Sequence, residues 1–259
     1  MILDLITVEY GAAGRPRLGY AARLMAAAAT AETAQAQATQ VLARALEQFK
    51  DRIAIASSFS LEDCVVIDLA YRQARSTAGW RVFAIDTGRL PEETYLTAER
   101  VRMKYDVAIE WFFPAREPVE RLIRAKGLYS FRDSLENRHE CCDIRKVEPL
   151  GRALAGLGAW VTGLRREQSV TRSDAAEIEV DAAHGGITKV NPIIGWTWDD
   201  VRAYAKEHRV PVHALHDKGY PSIGCAPCTR AISPGEHPRA GRWWWEDPAN
   251  KECGLHLPR

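Results

Sequence analysis

No stretch of this 259-residue sequence is apolar for long enough to cross a bilayer. Its start, MILDLITVEYGAAG, lacks the basic flank and small-residue cleavage pattern of a secretory signal. Both absences lead us to expect a cytoplasmic protein whose six cysteines are reduced, so that metal binding or catalysis explains them better than a disulfide framework. Surplus charge is missing too: 35 Lys and Arg against 34 Asp and Glu leave a formal +1. Neither nucleic acid nor a membrane surface is expected as a partner on that balance. No internal repeat is visible, and the Gly-Lys-Ser/Thr end of a Walker A loop is absent. What is present is an ordinary globular composition, and a length that can bury one substantial core with a tail.

Four of the cysteines fall in two pairs, Cys141-Cys142 in RHECCDIRKVEPL and Cys225/Cys228 in IGCAPCTR. The Cys-x-x-Cys spacing suits zinc or an iron–sulfur cluster. Adjacent side chains diverge, so neighbouring cysteines reach one small ion with difficulty, whereas a cluster several atoms across offers each its own iron. An iron–sulfur centre is therefore expected. The alternatives are a structural zinc site, or buried thiols beside a separate redox Cys-x-x-Cys. Cys64, in the apolar run Cys64-Val65-Val66-Ile67, reads as a buried structural thiol.

Residues 21–49, rich in Ala, Leu, Gln and Glu, predict one long or two short helices. A strand at 52–56 leads into Ser57-Ser58-Phe59-Ser60 and a helix over 61–73. Strands at 80–85, 108–113 and 159–162 alternate with helices starting after Pro91, near Pro118, and at the first cysteine pair, the last reaching Leu157. This rhythm argues for an α/β fold with a doubly wound, mainly parallel sheet. Residues 177–192 read as a hairpin around Gly185-Gly186 and 198–207 as a helix. The expected organisation is an N-terminal helical segment over 1–50, an α/β domain over 51–232 and a C-terminal tail or lid over 233–259 that opens and closes.

Two loops at strand ends carry chemistry. Ser57, Ser58 and Ser60 precede a helix whose free N–H groups and dipole favour a phosphate, although a serine-rich cap explains them as well. Asp86-Thr87-Gly88 follows the next strand on the same sheet edge, so both loops can line one nucleotide pocket. A simple strand-to-helix turn is the plainer explanation.

SSFSLED followed by IDTGRL resembles the adenine-nucleotide α-hydrolase fold of the sulfonucleotide reductases, and ECCDIRK, GCAPCTR and KECGLH resemble its iron–sulfur, adenylylsulfate-reducing branch. The resemblance runs from about Arg52 to the C-terminus. It implies reduction of adenosine 5′-phosphosulfate to sulfite and AMP in sulfate assimilation and cysteine biosynthesis. Thioredoxin, or a glutaredoxin-like donor, supplies the electrons. The resemblance also implies a [4Fe-4S] cluster held by Cys141, Cys142, Cys225 and Cys228. Relatives acting on the 3′-phosphorylated nucleotide usually lack both cysteine pairs. The resemblance further implies that Cys253 is the nucleophile, forming an S-sulfocysteine, and that Ser57, Ser58, Ser60, Thr87, Gly88, Lys146, Gly163, Arg172, Arg239, Arg242 and His256 contact substrate. Lys146, four residues after Cys142, would lie over the same helix face and link cluster to substrate.

Arg165 and Arg166 stay open between substrate contact and a solvated loop, and His139 reads as a surface histidine. Trp243-Trp244-Trp245 is expected to pack the tail onto the body, with a docking face for the electron donor as the other reading. The competing functions are reduction of the 3′-phospho nucleotide, an ATP-using adenylating enzyme or sulfurtransferase of the same fold, and a non-catalytic cluster-binding regulator. Self-association is compatible with the sequence.

Overall fold

Alternation with a period of two sorts the strand residues onto two faces of one sheet. In the computed structural model, which describes residues 8–10, 16–18, 20–74, 80–168 and 172–247, Ile53, Ile55, Val82, Ala84, Ala159 and Val161 belong to one apolar cluster. Ala54, Phe83 and Trp160 belong to a second, as the pleat requires.

The elements in chain order are β1 (Val8–Tyr10), β2 (Pro16–Leu18), α1 (Tyr20–Phe49), β3 (Ile53–Ala56), α2 (Leu61–Ala74), β4 (Arg81–Ile85), α3 (Glu92–Tyr105), β5 (Ile109–Phe112), α4 (Arg116–Lys126), α5 (Leu135–Cys142), α6 (Glu148–Leu154), β6 (Ala159–Val161), β7 (Ile178–Asp181), β8 (Ile187–Val190) and α7 (Trp198–Glu207). β1 and β2 form a separate antiparallel pair. The other six strands form a sheet in the order β5-β4-β3-β6-β8-β7, parallel throughout except where β7 returns against β8. The expected α/β class and the hairpin over 177–192 are both found. Residues 21–49 lie within a single helix, burying Ala38, Val41, Leu42 and Ala45 at i, i+3, i+4 and i+7 against α2 and the sheet. α1, α2, α3 and α7 thus cover one face, and α6 covers the other through Leu150, Ala153 and Leu154.

The first cysteine pair does not head a helix. It closes α5, and a π-helical turn, Asp143–Val147, follows before α6. The i, i+4 relation assumed for Cys142 and Lys146 therefore falls across a wider turn, of a kind that recurs at functional sites. Among the described residues no helix is long and apolar enough to cross a membrane.

From β3 the chain winds outward through β4 and β5, then crosses back to β6 on the other side of β3. The loops leaving β3 and β6 diverge at this reversal, where open α/β sheets hold their ligands.

Candidate active site

A cavity of about 930 Å³ opens at the carboxyl ends of β3, β4 and β6, lined by the loops that leave each strand, by residues 221–225 and 237–239, and by Arg242. Ser57, Ser58, Ser60, Thr87, Lys146, Gly163, Arg172, Arg239 and Arg242 all line it, and so does Cys225. The substrate residues expected from six separate segments are thus gathered around one space.

The serine loop differs from expectation. Three of the backbone donors there are engaged within the protein: Ser58 N–H donates to Asp63 Oδ2 at 2.6 Å, Phe59 N–H to Ser57 Oγ at 3.1 Å and Leu61 N–H to His216 Nε2 at 3.3 Å. The Ser58 hydroxyl also donates to Asp63, at 2.7 Å. Phe59 is held at φ +58° with its ring fully buried, and Glu62 and Asp63 stand in the first turn of α2. With those N–H groups engaged and two carboxylates beside them, the helix terminus is a poor anion cradle. Lys146, Arg172, Arg239 and Arg242 are the cations named above that line the same cavity.

Asp63 is the pin of this loop. Burial raises its pKa from 3.8 to about 6 against the lowering effect of Ser58, with Glu62 adding to the rise. Because the folded value lies above the unfolded one, the folded state takes up a proton as pH falls through 6, and the ionised carboxylate costs stability above that pH. Asp63→Asn should therefore be at least as stable as the parent at pH 8, with the advantage shrinking below about pH 6. Thermal melts at pH 8 and pH 5 check the sign. A variant that is less stable at pH 8 than at pH 5, relative to the parent, contradicts it.

Gly163 lets the β6 loop approach α2. A Cβ there would meet Asp63 Oδ1 at 2.5 Å and the Asp63 backbone nitrogen at 2.8 Å. Gly163→Ala should cost about 1–3 kcal/mol through overpacking, read by denaturant unfolding, and should weaken substrate binding by displacing the loop.

Arg165 lines the cavity and is held by its surroundings. It is 4 % exposed and ion-paired to Glu62, itself 4 % exposed, with Nη2 at 2.9 Å from Oε1. Its Nη1 reaches Glu167 at 2.7 Å, and its guanidinium lies 5.6 Å from the Trp198 ring centroid. Arg165 thus braces the cavity floor, whereas Arg166 is exposed and donates to the Ala175 carbonyl. Gln168 joins the same network, donating to Glu62 at 3.0 Å and accepting from Arg172. This aims Arg172 from the floor.

Gly88 is absent from the lining. It sits at φ +70°, where a Cβ would lie 3.3 Å from Arg145 Nη1, and that nitrogen donates to the Thr87 carbonyl at 2.6 Å. Its service is to admit the buried Arg145, while Asp86 Oδ1 accepts the Gly88 N–H at 2.7 Å. Arg242 is held more tightly still. It is 6 % exposed, donates to the Ile223 carbonyl at 3.0 Å and lies flat against Gly224, where a Cβ would come within 2.3 Å of Nη2. The Nε groups of Arg145 and Arg242 are buried without a hydrogen-bond partner among the described residues.

Behind these arginines the four paired cysteines share one apolar nest. Cys225, Cys228, Phe131 and Trp243 are mutually packed, with Cys141 against them, and Cys142 is close enough to raise the pKa of Cys228. Burial works against the Cys225 thiolate, but Lys146, the Thr87 hydroxyl at 3.2 Å, Arg242 and Arg145 outweigh it, and its pKa is lowered. Burial, then Cys225, pushes Cys228 up to about 12, and burial also raises Cys141. Lys146, in the π-turn, lies beside both the nest and the cavity. Among the described residues no three His, Cys, Asp or Glu side chains meet at single-ion distance.

Trp243 is wholly buried, with Arg138 and Arg242 each 4.6 Å from its ring centroid, and Arg138 pairs with Glu246 at 2.8 Å. Trp243 N–H also donates to the Cys228 carbonyl at 3.1 Å. The tryptophan run therefore does pack the segment after 233 onto the body. Cys64 is fully buried in α2, and burial drives its thiol far up. His139 is half-buried at the end of α5. Cys253 and His256 lie outside the described residues.

Sequence reasoning missed Asp63, the Glu62–Arg165 pair, Arg145, Arg138 and His216. His216 Nε2 accepts from Leu61, so its proton sits on Nδ1, facing the Tyr220 carbonyl at 2.8 Å. The tautomer follows from the partners, and burial lowers its pKa. The only available signal for these residues was charge in or beside motifs already marked.

A family model described as the phosphoadenosine phosphosulfate reductase domain matches residues 52–231. A Burkholderia cepacia protein named adenosine 5′-phosphosulfate reductase is 52 % identical over 207 residues, spanning 80 % of this chain and 81 % of that protein. One of the same name from Allochromatium vinosum is 48 % identical over 227 residues, spanning 88 % and 87 %. The crystal structure of phosphoadenylyl-sulfate reductase from Candida auris superposes with a TM-score of 0.62 at 28 % identity, over 76 % of this chain and 90 % of that one. Candida glabrata FMN adenylyltransferase superposes at 0.58 with 13 % identity, over 86 % and 77 %, a likeness of fold.

Proposed function

The chain belongs to the phosphoadenosine phosphosulfate reductase domain family, and we propose that it reduces adenosine 5′-phosphosulfate to sulfite and AMP in the cytoplasm, for sulfate assimilation, with a thioredoxin-type dithiol as donor. The observation that carries this reading is the junction of cavity and nest: Cys225 lines the cavity while Lys146 and Arg242 border both. Relatives named for this substrate support it at 52 % and 48 % identity.

The chemistry assigned to the chain is thiol chemistry. Lys146, Arg172, Arg239 and Arg242 hold the phosphate and sulfate charges in a partly dry cleft, where fixed cations act more strongly than in water. The Cys253 thiolate attacks the sulfate sulfur, the bond from sulfur to the bridging oxygen breaks, and AMP leaves with that oxygen. The product is Cys253–S–SO3⁻. A donor thiolate then attacks the cysteine sulfur and sulfite departs with the bonding electron pair. The donor's second thiol releases Cys253 and leaves the donor as its disulfide. Two electrons pass, and the dithiol supplies both.

Cys141, Cys142, Cys225 and Cys228 are proposed to hold a [4Fe-4S] cluster. An all-thiol donor set in an apolar nest ringed by Lys146, Arg145 and Arg242 fits a thiolate-bound anionic centre. When bound, the cluster supplies an electrostatic and structural anchor. The proposed division keeps an N-terminal helical segment, the nucleotide-binding body and a C-terminal catalytic tail that carries Cys253 and His256. Within that tail Trp243 is buried and Glu246 pairs with Arg138.

Sulfite release from adenosine 5′-phosphosulfate with reduced thioredoxin tests the reading, with the 3′-phospho nucleotide compared in parallel. A larger kcat/KM on the 3′-phospho form, or no sulfite from either, overturns it. Protein purified without air should be brown and contain iron and acid-labile sulfide in equal amounts; a colourless zinc protein contradicts the cluster.

A further inference from the structure

Side chains from the loop over 127–132 and from the end of the tryptophan run make one exposed aromatic surface. Leu128 is 56 % exposed, Tyr129 58 % and Trp244 38 %. Their rings are continuous with buried ones: Tyr129 and Phe131 centroids are 5.8 Å apart, Phe131 and Trp245 5.9 Å, Trp245 and Trp244 4.7 Å. The Arg132 guanidinium is threaded among all four, 5.2 Å from Tyr129, 5.8 Å from Phe131, 5.5 Å from Trp244 and 5.3 Å from Trp245. Arg89 lies 5.0 Å from Phe131 and donates to the Leu128 carbonyl.

Single exposed apolar side chains are ordinary, but a contiguous set of Tyr, Trp and Arg has the composition of a binding hot spot. Neither Arg89 nor Arg132 makes an ion pair among the described residues; both donate only to backbone carbonyls, Arg132 to that of Pro227 at 3.2 Å. The Arg132 charge remains available to an incoming carboxylate, while Arg89 also lies close enough to Cys141 to act on its thiol.

Two positional facts select the occupant. Pro227 lies between Cys225 and Cys228, so the surface backs directly onto the cysteine nest. Trp244 stands three residues before Asp247, the last described residue, and Cys253 six residues after it. Even fully extended, six residues span no more than about 21 Å. Counted from Trp244 at the edge of the patch the separation is nine residues, so a protein whose thiol attacks sulfur at Cys253 must bring that thiol within about 32 Å of that edge.

We propose that this surface docks the dithiol protein that regenerates Cys253, a small carrier with an apolar face around its nucleophilic thiol and carboxylates at the rim to meet Arg89 and Arg132. The inference rests on the function proposed above and adds the place where the donor binds. Leu128, Tyr129 and Trp244 supply the apolar contact, and the two arginines steer the encounter, an effect that weakens as salt rises.

The test compares the full-length enzyme with its Tyr129→Ser/Trp244→Ser variant in three assays. These are formation of the sulfonated Cys253 adduct in one turnover, read by mass, sulfite release with saturating dithiothreitol, and sulfite release with reduced thioredoxin titrated. We expect the first two to stay within twofold and kcat/KM for thioredoxin to fall at least 20-fold, with Tyr129→Phe/Trp244→Phe restoring most of it. For the parent, kcat/KM for thioredoxin should fall as ionic strength rises while the dithiothreitol rate does not. Unchanged thioredoxin kinetics in the serine variant overturn the docking site alone. Equal losses in all three assays also overturn it, since they assign the patch to the fold of the active site. A parent dimer that the variant makes monomeric, without a change in thioredoxin kinetics, gives the surface to a second copy. No adduct and no sulfite from the parent defeat the function and the docking site together.

Discussion

Serine at position 253 should leave a protein that binds adenosine 5′-phosphosulfate and releases no sulfite. A serine hydroxyl stays protonated at neutral pH and is a weak nucleophile without a base beside it, whereas a thiol near lysine or histidine is readily ionised. Lys251 and His256 flank position 253 in the sequence. Loss of a covalent nucleophile typically removes almost all turnover, so kcat should fall on the order of 10⁴-fold or more. Nucleotide affinity should change by only a few fold, because the groups proposed to hold the substrate, Lys146, Arg172, Arg239 and Arg242, line the cavity independently of the last residues. Equilibrium binding and sulfite release, measured on the same preparation, separate the two effects. Cys64→Ala is the control, since that thiol is wholly buried in α2 and its loss should leave turnover intact. A serine variant that turns over at more than a hundredth of the parent rate removes Cys253 from the mechanism, and one that no longer binds nucleotide makes it a binding residue.

Local signals accounted for most of the fold. Short apolar runs marked the strands at 53–56, 81–85 and 159–161, and Gly185-Gly186 marked the turn between β7 and β8. Sheet order follows from βαβ connections whose handedness is nearly fixed. Pairings across long sequence separations were not legible. Arg165 meets Glu62 across 103 residues, and Arg138 meets Trp243 and Glu246 from more than a hundred residues away. Nothing in either segment alone announces its partner. The same reasoning explains the serine loop: its hydroxyls were visible, but not that Asp63 and His216 would take up its N–H groups. The π-turn over Asp143–Val147 was hidden as well, because its residues have unremarkable helical propensity and tertiary packing decides the extra residue per turn.

Cys225→Ser should be the most damaging change among the cysteines of the nest. Cys225 is the member that faces the cavity, touches Thr87 and is surrounded by Lys146, Arg242 and Arg145. A hydroxyl neither ionises there nor binds iron well, so the variant should be purified with iron and sulfide well below the parent content. Its sulfite release should fall at least a hundredfold. Stability should fall too, since Lys146, Arg145 and Arg242, each under a tenth exposed, lose the Cys225 thiolate they favour and with it the anionic centre proposed there. Stranding a buried charge typically costs about 3–5 kcal/mol, which for a chain of this size lowers the melting temperature by roughly 10 °C. The charge argument has a sharper consequence. Lys146→Met should destabilise the parent, by removing a cation beside the Cys225 thiolate, yet should recover part of the lost stability in the Cys225→Ser background, where that thiolate is gone. A double-mutant cycle on melting under anaerobic conditions reads this coupling directly. If Lys146→Met has the same effect in both backgrounds, the lysine does not balance the charge of the nest, and its role is confined to the cavity.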